Sequence, residues 1–380
     1  MKQHLKTIVI FLLIVAVCGG LLVVTGVLPI RASDGHWAIT RWFLNFSKER
    51  SVAFHSSGIE VPDLDREALV VKGAGHYEIG CLQCHGSPQR EAPRVVAYMT
   101  PKPPDIAALV KEREPEELYY IVKHGILMTG MPAWPSLQRD DEVWPVVAFL
   151  LKYPELDHAA YRKLALGELD LEEVPDTVNG EDETPLDVPH HVVESCAMCH
   201  GLEGRGRGYG VFPVLAGQNE AYLVETLVAY RDDKRHSGTM EAVLGRLDVD
   251  DLERLAKYYA NLPAAGALAD SETDGPPRDE DHAEAIERGR QIALEGLPEQ
   301  KVPSCADCHP IDGSTINDEY PVLTGQYADY LELQLELFAE RVRGGTDAFN
   351  LMHPVVDHLE PEQMRDVALF YAAQSRDESP

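Results

Sequence analysis

Cys81-Leu82-Gln83-Cys84-His85 recurs as Cys196-Ala197-Met198-Cys199-His200 and again as Cys305-Ala306-Asp307-Cys308-His309. These motifs use six of the seven cysteines, and the seventh, Cys18, lies apart in an apolar N-terminal run. A disulfide framework has no reason to place a histidine after every second cysteine, and a chain of 380 residues does not need such staples. A structural zinc site needs a second Cys or His pair close by, whereas each motif stands alone in its stretch of sequence. A thioredoxin-like C-x-x-C needs a βαβ context, and no convincing alternating strands flank any of the three.

The C-x-x-C-H spacing fits covalent haem attachment. Both thiols add to the vinyl groups of one haem and the adjacent imidazole becomes an axial iron ligand. The expected cofactors are therefore three haem c groups, held through Cys81 and Cys84, Cys196 and Cys199, and Cys305 and Cys308, with His85, His200 and His309 on iron. Such attachment takes place outside the cytoplasm. One methionine follows each motif at a similar distance: Met131 lies 46 residues after His85, Met240 lies 40 after His200, and Met352 lies 43 after His309. That is the pattern of His/Met ligation, in which a thioether favours reduced iron. Met128 competes with Met131, but Met131 stands in a Gly-Met-Pro turn that presents a side chain away from a helix. His236 and His353 are the rivals of Met240 and Met352. Met198 and Met364 read as packing, and His55, His76, His190 and His191 as surface groups.

The second and third stretches are copies. Phe212-Pro-Val-Leu-Ala-Gly-Gln218 matches Tyr320-Pro-Val-Leu-Thr-Gly-Gln326, and Tyr222-Leu223 matches Tyr330-Leu331, at an offset of 108. Amphipathic helices follow each such turn and close each copy, with Asp248 as an N-cap and Pro361 in a first turn. The first stretch is built alike, with Pro115 opening a helix that Gly125 stops. The fold class expected is all-α: an N-terminal transmembrane helix followed by three tandem haem domains.

Charge divides the chain. Lys plus Arg number 34 and Asp plus Glu 63, a net −29 that argues against nucleic acid as partner and suits redox proteins with basic docking surfaces. Residues 166–194 carry ten acids and no base, and residues 263–285 carry seven acids and one base. Both read as acidic linkers. They separate domains at 52–165, 195–262 and 286–380, the last with a net −11. Residues 7–28 are 22 without a charge, enough as a helix to span a hydrocarbon core of ~30 Å. Lys2 and Lys6 precede them and keep the N-terminus cytoplasmic, although Arg31 weakens that bias. The competing reading is a signal peptide, disfavoured by the length of the run and the poor Ile30-Arg31-Ala32 cleavage site. Trp37 and Trp42 suit the membrane interface beyond the exit point. The location expected is the bacterial inner membrane, with the haem domains in the periplasm.

Each haem stretch resembles a class I cytochrome c domain. Residues 195–262 and 286–374 resemble the diheme cytochromes of the c-four subclass. The first stretch is similar to the domains of dehydrogenase cytochrome subunits and of the diheme subunit of cytochrome oxidases, through Gly73-x-x-x-Tyr77 before its motif and Thr-Gly-Met131-Pro-Ala-Trp after it. By that resemblance Pro104, Pro213 and Pro321 would offer carbonyls to the motif histidines. Gly73, and Gly289 likewise, would let the first helix of its domain cross the last, and Arg235 and Arg343 are candidates to pair with haem propionates. The second stretch departs, because no Gly-x-x-x-Tyr precedes Cys196. Its N-terminal helix would be short or absent, and one haem edge exposed or covered by a neighbour.

Three saturated haems leave no vacant iron position, so the function expected is electron transfer and not catalysis. The chain would carry electrons between a quinol-oxidising complex or dehydrogenase and a terminal oxidase or soluble carrier. The alternatives are a haem enzyme (peroxidase, nitrite or sulfur-compound oxidoreductase) in which one haem lacks a distal ligand, a redox or gas sensor, or the cytochrome subunit of a larger dehydrogenase.

Overall fold

The computed structural model describes residues 2–27, 30–88, 90–167, 190–264, 280–346 and 349–375. Most of both acidic linkers lies outside these residues. Among those described there is no sheet, only an isolated bridge between Leu297 and Val302. The remaining regular structure is helical, as the sequence pattern requires.

Helix α1 (Lys2–Val24) is apolar on every side, and none of it is buried against protein. Helix α2 (Ala38–Ser56) falls in a stretch left without an element by sequence reading. Its Val52 and Ser56 are buried, and Glu49 pairs with Arg113, two residues before the helix that starts at Pro115.

The first core is built from α3 (Glu67–Gly80), the motif helix α4 (Leu82–His85), α5 (Ile106–Val110), α6 (Pro115–His124), α7 (Asp140–Lys152) and α8 (His158–Leu166). Helices α3 and α7 cross at Gly73, where a Cβ would sit 1.9 Å from the Pro145 carbonyl oxygen and 2.9 Å from Phe149 Cβ. Only glycine allows that approach. Pro145 lies inside α7 and removes the N–H that would have bonded Asp141 O. Lys72 Nζ from α3 donates to that carbonyl instead, at 3.1 Å. Tyr77, Phe149, Tyr153 and Tyr161 cluster behind the crossing.

The second core uses α9 (His190–His200), α10 (Glu220–Arg231), α11 (Met240–Leu244) and α12 (Val249–Ala260). The third uses α13 (Glu280–Glu295), α14 (Ala328–Ala339), α15 (Phe349–Val356) and α16 (Pro361–Ala372). Expected caps are in place: Asp248 accepts from Asp251 N at 2.9 Å, Pro361 opens α16, and Gly125 ends α6 at φ 65°. Gly289 repeats the role of Gly73, since its Cβ would lie 2.0 Å from Asp366 O.

The second core has only the short α9 where its counterparts have long first helices. Helix α3 of the first core supplies the missing cover. Val71, Cys199 and Phe212 form one buried cluster, and a Cβ on Gly75 would stand 3.2 Å from Cys199 Sγ. Met198 packs against the first core. Arg207 caps the end of α8, donating to Leu164 O and Lys163 O at 2.7 Å each.

Candidate functional site

The three motif histidines share one arrangement. His85 Nδ1 faces Pro104 O at 3.4 Å, His200 Nδ1 faces Pro213 O at 3.2 Å, and His309 Nδ1 faces Pro321 O at 2.9 Å. A carbonyl can only accept, so Nδ1 carries the proton and Nε2 keeps its lone pair for a metal. Burial lowers the pKa of all three, opposed by the proline carbonyls, so each ring is held neutral.

The thiols are as informative. Burial pushes Cys81 and Cys196 up to about 12, and Cys199 and Cys305 up to about 11. A redox or nucleophilic cysteine needs the opposite shift, so these four are poor thiolates and sheltered positions for thioether bonds.

The second and third sites open into a single apolar cavity of about 330 Å³. Cys196, Cys199, His200 and Met240 line one part; Cys305, Cys308, His309 and Met352 line the other. His236 lies off this wall, half-exposed, with Nδ1 3.3 Å from Asp233. Met131 is half-buried, while its rival Met128 is 70% exposed on left-handed backbone (φ 62°).

Where the two parts of the cavity meet lie Arg235 and Arg343, equivalent residues of the two copies. Arg235 stacks 4.7 Å over Tyr230 and donates to Gln334 Oε1 at 3.1 Å. Arg343 stacks 4.4 Å over Phe338 and donates to Tyr222 Oη at 3.0 Å. Burial and the neighbouring Arg235 together lower the pKa of Arg343. Burial raises the Tyr222 phenol, but the Arg343 and Arg235 charges outweigh it and pull it down to about 8. Among the described residues neither guanidinium has a carboxylate partner. A buried pair of cations needs anions from elsewhere. A haem brings two propionates per ring, together with the flat apolar body that this cavity accepts. The donor set, the cavity and the unpaired cations all fit haem.

Sequence reasoning missed His76. Expected at the surface, it is 5% exposed, with Nδ1 3.2 Å from Glu142 O and its ring 5.7 Å from that of Trp134. Its partners lie more than fifty residues along the chain, beyond the reach of any local pattern.

Helices wrapped round C-x-x-C-H motifs, with carbonyl-held histidines and a cavity lined by Met240 and Met352, define a c-type cytochrome, and cytochrome c domains carry covalently bound haem c. Residues 68–150 match the family "Cytochrome C oxidase, cbb3-type, subunit III", and residues 190–263 and 286–372 match the family "Cytochrome c". The "Thiosulfate dehydrogenase electron acceptor" of Thiomonas intermedia is 32% identical over 180 residues, 47% of this chain and 78% of that protein. "Cytochrome c-552" of Acidithiobacillus ferridurans is 31% identical over 192 residues (49% and 76%). "Cytochrome c4" of Pseudomonas aeruginosa is 31% identical over 176 residues (46% and 81%). The chain belongs to the class I c-type cytochromes, with a likeness to the c4 proteins. It is an electron-transfer cytochrome.

Proposed function

We propose that the chain is a membrane-anchored triheme electron carrier of the periplasm, with cytochrome c domains at 52–165, 195–262 and 286–380. The observation that supports this reading is the threefold repetition of a motif histidine held through Nδ1 by a proline carbonyl, with Met240 and Met352 lining the same cavity as His200 and His309. Haem, when bound, supplies one-electron exchange between ferrous and ferric iron. The protein would hold the haems through the motif cysteines and histidines, offer Met131, Met240 and Met352 as further iron ligands, and screen the rings from water. With every position taken, the chain is a carrier and not an enzyme. Pyridine haemochrome quantitation with the near-infrared methionine charge-transfer band tests this directly. Three haems with three methionine bands are expected; a high-spin or rapidly ligand-binding haem overturns the assignment at that site.

Two features support the membrane part of the reading. Helix α1 has a mean hydropathy of 3.1 over its most apolar window and no buried surface. Helix α2 turns its apolar residues outward: Ile39, Trp42, Phe43, Phe46 and Phe54 are each more than half exposed. At 3.6 residues per turn these five fall on roughly a third of the circumference, centred about 120° around the helix from the face that carries Val52 and Ser56. This stripe lies at the bilayer surface beside the anchor. Removal of residues 2–30 should release the protein from membranes into a salt-extractable fraction; release of the full-length chain by salt alone contradicts the anchor.

The donor is a quinol-oxidising complex or a dehydrogenase and the acceptor an oxidase or soluble carrier; the relatives named as thiosulfate dehydrogenase electron acceptors support the dehydrogenase side. The net −11 of residues 286–380 directs this end to a basic partner. Electron exchange through it should slow as salt rises, and a salt-independent rate removes electrostatic docking from the account.

A further inference from the structure

Met131 and Met240 are 109 residues apart, yet the arms that carry them meet on one carboxylate. Glu142, in the first turn of α7, is 3% exposed. Its Oε2 accepts from Trp134 Nε1 at 3.0 Å and from Gly238 N at 2.7 Å. Its Oε1 accepts from Ser237 Oγ at 2.6 Å and lies 3.1 Å from an Arg139 guanidinium nitrogen. Trp134 is three residues beyond Met131; Ser237 and Gly238 directly precede the Thr239-Met240 pair that opens α11. The Ser237 hydroxyl oxygen also accepts from Met240 N at 3.1 Å. Arg139 closes the clamp by donating to His236 O at 2.6 Å. The fit is tight, because a Cβ on Gly238 would lie 2.3 Å from Trp134 Nε1.

We infer that Glu142 is a positioning residue that holds the Met240 arm of the second haem against the Met131 arm of the first, so that ligation in the second domain depends on the first. The inference rests on the reading of Met131 and Met240 as axial ligands. A thioether brings no charge to iron, so its hold depends on the arm being kept in place. The arm's own domain offers Ser237 N a bond to Glu241 Oε1 at 2.7 Å, but the bonds to Ser237 Oγ and Gly238 N come from the neighbour. Without Glu142, buried donors on both arms lose their shared acceptor, Arg139 keeps Asp141 at 2.7 and 2.9 Å, and the 236–240 segment is freed to shift.

The test uses the full-length holoprotein in detergent and follows the near-infrared methionine band of the oxidised form during heating. Met240→Ala defines the share of the band due to the second haem. Glu142→Ala is expected to lose that same share at ambient temperature while keeping the wild-type haem count. Glu142→Gln, which keeps the shape but presents N–H groups to donors, is expected to lose that share at a lower temperature than the rest of the band. A purely structural role would move every share together. The proposal is overturned if both Glu142 variants lose the whole band in one step while Met240→Ala loses a distinct share. If Met240→Ala loses nothing, the ligand assignment fails and the proposal falls with it.

Discussion

Gln218 and Gln326, equivalent residues of the two copies, each complete the other copy's turn. Gln218 donates to Val322 O at 2.9 Å and accepts from Val322 N at 2.8 Å; Gln326 does the same to Val214, at 3.0 and 2.9 Å. All four bonds are buried, and they place the two Pro-Val-Leu turns, whose prolines hold His200 and His309, back to back. Replacing either glutamine by alanine should cost about 1–3 kcal/mol, since each change strands a buried backbone N–H and C=O. The double variant should cost less than the sum, because an interface opened at one side has less to lose at the other. Denaturant unfolding of the holoprotein reads both; a loss within error of zero for either single variant contradicts the account.

Arg343 lines the cavity without a carboxylate partner among the described residues. If a propionate is its partner, Arg343→Gln removes a positive charge that favours reduced iron. The nearest haem should then fall in potential by about 40–80 mV, the one-electron equivalent of about 1–2 kcal/mol. Arg235→Gln should act in the same direction. Spectroelectrochemical titration measures both, and an unchanged or raised midpoint rejects the pairing.

His76 makes the first domain acid-sensitive. Burial, only partly offset by the Glu142 charge, lowers it from about 6.5 to about 4. The unfolded chain therefore binds the proton more readily between those values. The stability held by neutral His76 is complete above about pH 6.5 and is lost as pH falls toward 4, by up to about 3 kcal/mol. His76→Phe should flatten that limb of a stability–pH curve; an equal slope in both proteins would exclude His76 as its source.

Gly73 and Gly289 hold helix crossings that no side chain can enter. Alanine at either should destabilise its own domain by about 3 kcal/mol or more, because the obstacle is backbone and cannot swing aside. Gly80 is the internal control, in α3, where an added Cβ would meet nothing within 4 Å. Gly80→Ala should be neutral or slightly stabilising. Thermal unfolding of the three variants should separate them cleanly.

Much of this was legible beforehand because it is local or repeated. The C-x-x-C-H triplets, the 108-residue offset and the caps at Asp248 and Pro361 are fixed by residue type, while the crossings at Gly73 and Gly289 were implied by the resemblance to class I cytochrome c domains. What escaped was relational. The Gly-Gln turn was visible in both copies, but nothing local says that each glutamine serves the other copy. Helix α2 was missed because its exposed stripe joins aromatic residues to a lone Arg50, and its packed face is mostly small or polar. The absent Gly-x-x-x-Tyr before Cys196 left one edge either exposed or covered by a neighbour; that α3 is the cover depends on packing between segments more than a hundred residues apart.

That shared helix changes where the chain can be divided. Helix α3 runs directly into Cys81 and lays Val71 and Gly75 on Cys199, so one element finishes two sites. A fragment beginning at residue 190 matches a family border yet is not self-sufficient: it would bare Cys199 and Phe212 to water and leave Arg207 without the carbonyls it caps. The first core is thus a coat for the second, and grafting the C-terminal pair elsewhere would require a replacement for that coat.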